Sequence, residues 1–351
     1  MGDHKIKFSI GFDLYSKNTT PDMLIKYAAL ADKYDFDVFW LGQENLYRDI
    51  FQLLALIARS TKNICIGPSV VNPYTTHPAL LVASVATLDE ISNGRAYFGL
   101  GAGGSAILKP LSIKMWEKPI ARLRETILIA RKLLRGETVT FDGRILKLNR
   151  AKLEFPPKRE IPIYLAARGP KMLALAGELA DGVNLGAVPA GYIDHAKTFI
   201  KEGLNKAGRD FESIDILNPL MLSLSEDYNE AYEHLITGDP VIKYNTVVLI
   251  ADSNSLVLEK AGLPPDLNQK INRILIEEGV DAAIKAIPEK AINSFSIVGD
   301  IETCIKRIEE YLKVGVTHIG FFQPHGPDIE KAIKLLGEKI IPYIKEQYSY
   351  S

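Results

Sequence analysis

The residues of this chain best placed to do chemistry stand directly after apolar runs of strand length. The densest group is Ile66-Gly-Pro-Ser-Val-Val-Asn-Pro-Tyr-Thr-Thr-His-Pro78, where an apolar run from Ile64 to Val71 ends in a polar turn closed by two prolines. Proline has no N–H to donate and biases its predecessor toward extended geometry, so Asn72 and His77 should be extended and a helix can begin at Pro78. A strand end of this kind is a platform, with the Ser69 hydroxyl and the Asn72 carboxamide as its polar groups.

Four further groups carry functional side chains. After the second apolar run come Gln43 and Glu44, and Glu44 is the carboxylate beside that strand end. It could act as acid, base or hydrogen-bond anchor, against the plainer reading of a solvated loop charge. In Ala167-Arg-Gly-Pro-Lys-Met172, glycine and then proline open a helix whose free amides and positive dipole end can hold a phosphate, with Arg168 and Lys171 adding charge. An ordinary helix start with two solvated basic residues is the competing reading. Gly99-Leu-Gly-Ala-Gly-Gly104 satisfies the dinucleotide glycine fingerprint to the letter. It belongs to the fourth strand, however, and runs into Lys109-Pro110 with no helix start to meet a pyrophosphate. Glycines that let a flat ring lie close to backbone are the better account. His325 sits in Gln323-Pro-His-Gly-Pro327 and is either a site histidine or one hydrogen-bonded to backbone. No His-Glu-x-x-His, cysteine pair, Gly-x-Ser-x-Gly elbow or Gly-Lys-Ser phosphate loop occurs, so no motif supports metal or triad chemistry.

The elements that must position these groups alternate strand and helix, which is the pattern of parallel βαβ units. Strands are expected at Lys7 to Phe12, Val38 to Leu41, Ile64 to Val71, Ala96 to Gly101, Ile161 to Ala166, Gly182 to Leu185, Asp215 to Leu224 and Thr317 to Phe322. Helices are expected at Pro21 to Tyr34, Ile50 to Ser60, Pro78 to Ile91, Lys118 to Leu134, Pro170 to Leu179, Ala190 to Ala207 and Asp328 to Glu346. This describes an α/β chain, a (β/α)8 TIM barrel in a single domain spanning 1–351, with insertions near 137–148 and 226–293. Asp142-Gly143 marks the first insertion as a hairpin, and the second reads as mostly helical, placed before the last strand. A barrel builds its site at the carboxyl ends of the strands. That rule selects Asp13, Tyr15, Gln43, Glu44, Ser69, Asn72, Tyr74, Gly101 to Ser105, Arg168 to Lys171, Asn184, Ser225, Glu226, Gln323 and His325. His318 opens the last strand and belongs to the opposite, structural face.

Composition bounds the partners. With 42 basic and 43 acidic side chains the formal charge is −1, which supplies no broad positive field for nucleic acid. Cys65 and Cys304 make neither a disulfide framework nor a metal cluster and read as buried thiols. No apolar run approaches the roughly 18 residues of a membrane span, and no leader pattern opens the chain. The expectation is a soluble cytoplasmic protein with a small-molecule substrate and no nucleic-acid or membrane partner, working as a homodimer or higher homo-oligomer.

Ile66 to Pro78 and Thr87-Leu-Asp-Glu-Ile-Ser-Asn-Gly-Arg95 resemble the bacterial-luciferase-like superfamily of flavin and deazaflavin oxidoreductases. So do Trp40 to Asp49, Leu100-Gly-Ala-Gly103, Ala166 to Met172, Leu175 to Gly182 and Phe322 to Asp328. Within it the pattern is most similar to the coenzyme F420-dependent methylenetetrahydromethanopterin reductases. The resemblance implies an F420-dependent oxidoreductase that transfers hydride to or from a small or pterin-type substrate. It also implies a non-prolyl cis peptide, here Ser69 to Val70, bulging against the cofactor ring. Ser69, Val70 and Asn72 would lie at the ring, Ala102 and Gly103 along the tail, and Arg168, Gly169, Lys171 and Met172 near the phosphate. Glu44, Gln43 and His325 are the candidate catalytic residues. Where such F420 enzymes commonly carry Asp-His after strand two, this chain has Gln43-Glu44; where some carry glutamate after strand four, it has Gly104. Sugar-phosphate dehydrogenation, which uses that histidine and glutamate, is therefore disfavoured. Two other readings follow: an FMN-dependent monooxygenase fed by a separate reductase, and a non-catalytic barrel that binds a cofactor.

Overall fold

The computed structural model describes residues 6–14, 19–44, 46–104, 108–114 and 117–348, so Tyr15 and Ser105 lie outside the described residues. Strands and helices alternate as the sequence pattern requires. The strands are β1 (Lys7–Phe12), β2 (Val38–Leu41), β3 (Cys65–Pro68), β4 (Phe98–Leu100), β5 (Val139–Asp142), β6 (Lys147–Ala151), β7 (Ile163–Ala166), β8 (Gly182–Asn184), β9 (Asp215–Leu224), β10 (Ser296–Gly299) and β11 (His318–His325). One sheet runs β3-β2-β1-β11-β9-β8-β7-β4. Parallel bridges Ile66 to Ala96 and Val71 to Leu100 join β3 back to β4, which makes a (β/α)8 barrel. In β1, Phe8, Ile10 and Phe12 are wholly buried, and so is Ser9 between them, as a strand covered on both faces must be.

Two stretches differ from the sequence pattern. Ser296–Gly299 is a ninth strand, paired in parallel with the far end of β9 from Ser296 beside Met221 to Gly299 beside Leu224, and it feeds the helix Ile301–Lys313. Four residues directly after the helix Glu289–Phe295 are too few to show a period of two, so this strand is invisible without its partner. The last barrel strand continues to His325, with a register shift between Phe322 and His325 and a cis Gln323–Pro324 peptide. Gln323 and His325 therefore lie inside a strand and not in a loop beyond it.

The chain forms two compact units. The first comprises Gly11–Asn184 and Thr198–Asp215. Its interior holds Trp40, Tyr97 and Tyr164, with ring centroids 5.4–5.7 Å apart, and the Tyr164 hydroxyl donates to Asp215. The β5–β6 hairpin is anchored by Glu125, whose carboxylate accepts the N–H groups of Arg144, Ile145 and Leu146 at 2.8–3.0 Å. The helix Pro170–Leu179 is crossed closely by the Thr198–Ala207 portion of the next helix. A Cβ on Gly203 would stand 1.9 Å from the Ala174 carbonyl oxygen, and one on Gly177 2.2 Å from that of Ile200. Backbone cannot step aside as a side chain can, so Gly203→Ala should cost about 3 kcal/mol, at the upper end for overpacking. A denaturant midpoint equal to wild type would show that the two helices part without penalty.

The second unit comprises the start of β1, Leu185–Lys197 and the chain from Ile216 onward. Its largest part is the expected helical insertion, six helices from Tyr228–Thr237 to Glu289–Phe295. Asn218 on β9 ties down the Val188 turn by accepting its N–H at 3.1 Å and donating to its carbonyl at 2.9 Å. His318 opens β11 and is fully buried, and Cys304 is buried in the helix Ile301–Lys313. No helix among the described residues is long and apolar enough to cross a membrane.

Candidate active site

The platform at the end of β3 is built as its prolines require. The helix Pro78–Ile91 begins at Pro78, and His77 before it is extended (φ −60°, ψ 133°) and caps the helix by accepting the Ala79 N–H. The Ser69–Val70 peptide is cis. The platform is stitched to three neighbouring strands of the first unit. Ser69 N–H donates to Leu41 O at 2.7 Å after β2; Val71 N–H donates to Gly99 O at 3.0 Å on β4; and the Asn184 carboxamide donates to Ser69 Oγ at 3.1 Å from the end of β8.

Asn72 is buried and organises the turn that follows. Its Oδ1 accepts the N–H groups of Tyr74 and Thr75 at 3.1 and 3.0 Å and the Thr75 hydroxyl at 3.2 Å. Its Nδ2 donates to Gln43 Oε1 at 3.1 Å. Gln43 thus acts on the platform, steadying Asn72. Beyond it, the Arg122 guanidinium stacks on the Tyr74 ring at 4.6 Å and donates to Pro73 O at 3.4 Å.

The glycines after β4 divide into two pairs. A Cβ on Gly99 would meet Pro68 O at 2.1 Å, and one on Gly101 would meet Val70 Cγ2 at 2.5 Å, so these two make room for the β3 end itself and not, as the sequence suggested, for a ring. Gly103, with φ +69°, packs against Asn72 and Leu108, where a Cβ would stand 3.4 Å from each, and Ala102 and Gly103 are half-buried; Gly104 alone is exposed and faces open space. Contrary to the expectation that no helix starts here, a short helical turn follows them: Leu108 N–H donates to Gly104 O at 3.1 Å and a 3-10 helix runs Lys109–Leu111, residues 105–107 lying outside the described residues.

At the end of β7 the helix Pro170–Leu179 starts on Gly169, with no side chain capping its amides. A Cβ on Gly169 would meet nothing within 4 Å, and Gly169 and Lys171 are exposed while Arg168 and Met172 are half-buried. A helix start, open space and two basic side chains are what a phosphate needs.

Acid–base groups converge where β1 and β2 end. Oδ1 of Asp13 lies 2.7 Å, and Oε1 of Glu44 3.4 Å, from the point a Cβ on Gly42 would occupy. Burial pushes the Asp13 carboxyl up to about 6. Asp13 was legible only as one strand-end residue among many, and no local motif marks it. In the second unit, by contrast, His325 is wholly buried, has φ 71°, and places Nε2 3.3 Å from Phe321 O, the backbone-bonded alternative foreseen for it.

The first unit therefore offers a strand-end platform, a glycine turn open at Gly104, an uncapped helix start flanked by basic residues, and two carboxyls. A family model described as luciferase-like monooxygenase matches residues 5–318. The 5,10-methylenetetrahydromethanopterin reductase of Archaeoglobus fulgidus is 36% identical, over 97% of this chain and 100% of that one. The reductase of the same name from Methanolobus tindarius is 36% identical, over 90% of this chain and 94% of its own length. Among solved structures, the coenzyme F420-dependent tetrahydromethanopterin reductase of Methanopyrus kandleri superposes with a TM-score of 0.88 at 30% identity, covering 97% of this chain and 99% of that chain.

Proposed function

The chain belongs to the luciferase-like monooxygenase family, and from that premise we propose that it is a coenzyme F420-dependent oxidoreductase acting on a pterin-type substrate, in the manner of the methylenetetrahydromethanopterin reductases. The observation that carries this reading is the 36% identity to such a reductase along the full length of both chains. The residues present fit the group. Ser69 and Val70 offer a fixed face for a flat ring, with Asn72 holding the turn behind them. Ala102 and Gly103, half-buried beside Asn72, would line the path of a tail, and Arg168, Gly169, Lys171 and Met172 surround the helix start where a phosphate would be held. When bound, F420 supplies a ring carbon that accepts or gives hydride. The protein's share is to orient the partners and exclude water.

Purified protein should bind F420 in preference to FMN and oxidise reduced F420 when given methylene-pterin. Oxygen consumption with reduced FMN, and no response to F420, would replace this reading with the monooxygenase one. Arg168→Ala should raise the dissociation constant for F420 about tenfold, the lower end for loss of a charge-assisted hydrogen bond, with turnover at saturation nearly unchanged. Unaltered affinity in a fluorescence titration would move the phosphate elsewhere. The working unit is a cytoplasmic homodimer or larger homo-oligomer, checked by a light-scattering mass above the 38.9 kDa of one chain.

A further inference from the structure

We infer that Asp13 and Glu44, which flank the bare Gly42 backbone where β1 and β2 end, form a carboxyl pair from which Asp13 gives a proton to the bound substrate. The assignment of a substrate rests on the function proposed above; the protonated carboxyl does not.

The pair is made by three residues that no motif links. Asp13 follows β1, and Gly42 and Glu44 follow β2. Both carboxyls flank the bare Gly42 backbone, and from their distances of 2.7 and 3.4 Å to one point their nearest oxygens are at most about 6 Å apart. A side chain at position 42 would collide with Asp13, so glycine there is what admits the aspartate. Position and parity support a shared direction. Phe12 stacks on Tyr27 and Phe39 at 5.4 and 5.2 Å, on the helix side of the strands, so its neighbour Asp13 turns the other way.

Burial disfavours the charged form of Asp13 and is the cause that raises it, to about 6. Among the described residues near the pair, two further polar groups are engaged elsewhere. Gln43 is neutral and bonded to Asn72, and Arg48 donates to Thr19 O at 3.1 Å. A carboxyl that keeps its proton near pH 6 is matched to general-acid work.

Reduction of a methylene bridge between two nitrogens needs such a proton. Hydride adds to the bridging carbon, one C–N bond breaks, its electron pair stays on nitrogen, and that nitrogen takes the proton. Asp13 supplies it and is reprotonated from solvent.

The test joins a titration that needs no cofactor to a kinetic one. In the apo protein, 13C-detected carboxyl titration should show Asp13 with a midpoint near 6. Because its folded value exceeds the usual carboxylate range, the wild-type fold should also lose stability relative to Asp13→Asn as the pH rises through 6. With reduced F420 and methylene-pterin, Asp13→Asn should lower kcat at least tenfold and abolish the fall in rate above pH 6, leave F420 affinity unchanged, and be partly rescued in Asp13→Glu. An Asp13 midpoint below 4, or an Asn variant with the wild-type pH profile and rate, overturns the inference. A wild-type protein that binds F420 yet leaves methylene-pterin untouched overturns the substrate reading instead, and the titration still decides whether this carboxyl is protonated.

Discussion

Asn72→Ala should destabilise the protein by about 3 kcal/mol and weaken F420 binding along with it, because each donor deprived of its acceptor in a buried turn costs about 1–3 kcal/mol. Asn72 is 1% exposed and its Oδ1 alone satisfies two backbone N–H groups and the Thr75 hydroxyl. The substitution leaves these without their acceptor and deprives Gln43 of its donor as well. Tyr74 and Thr75 are half-buried, so water can take up part of the loss, which keeps the expected cost well below the sum of the separate terms. Asn72→Asp keeps the acceptor and removes the contact to Gln43, so it should cost clearly less. Urea unfolding of the three proteins measures the difference. Equal midpoints for wild type and the alanine variant would mean that the turn is held by its prolines and not by Asn72.

Glu44→Gln should lower turnover about a hundredfold, the ordinary worth of acid–base help, while fold and F420 affinity stay intact. The amide keeps the shape and hydrogen-bonding reach of the side chain and removes its charge. That carboxylate lies within about 6 Å of Asp13, where it can anchor a substrate N–H group. Loss of the pair's charge should appear in kcat and in its pH profile more than in cofactor binding, which we propose to rest on the separate group at Arg168 and Gly169. A Gln variant with full activity across the pH range would leave Glu44 as a solvated charge at the strand end.

The substitution of Gln43-Glu44 for the more usual Asp-His acquires a physical sense here. Gln43 is bonded to the platform, and Glu44 faces a carboxyl and not an imidazole. The two positions have different jobs in one dipeptide because adjacent residues leaving a strand point to different sides. In the function proposed above, the platform residue would support a ring and its neighbour would belong to the acid pair.

What the sequence alone determined is the part governed by near neighbours. Alternating apolar runs specified the barrel, and Pro78 and Pro170 placed two helix starts to the residue, since proline's ring acts on itself and its predecessor. Asp142-Gly143 announced the hairpin, whose strands β5 and β6 pair on either side of it. Tertiary structure alone decided which strand end each polar group would face. It gave Gly99 and Gly101 to the β3 end, drew Gln43 onto Asn72, closed His325 into a strand, and added β10 through its pairing with β9. It also set Asp13 against Gly42 and Glu44, about 30 residues along the chain, and buried it, which raised its proton affinity. Such pairings depend on the register of parallel strands joined by whole helices, and a carboxyl's ionisation depends on everything that excludes water from it; neither is carried by the residues adjacent in sequence.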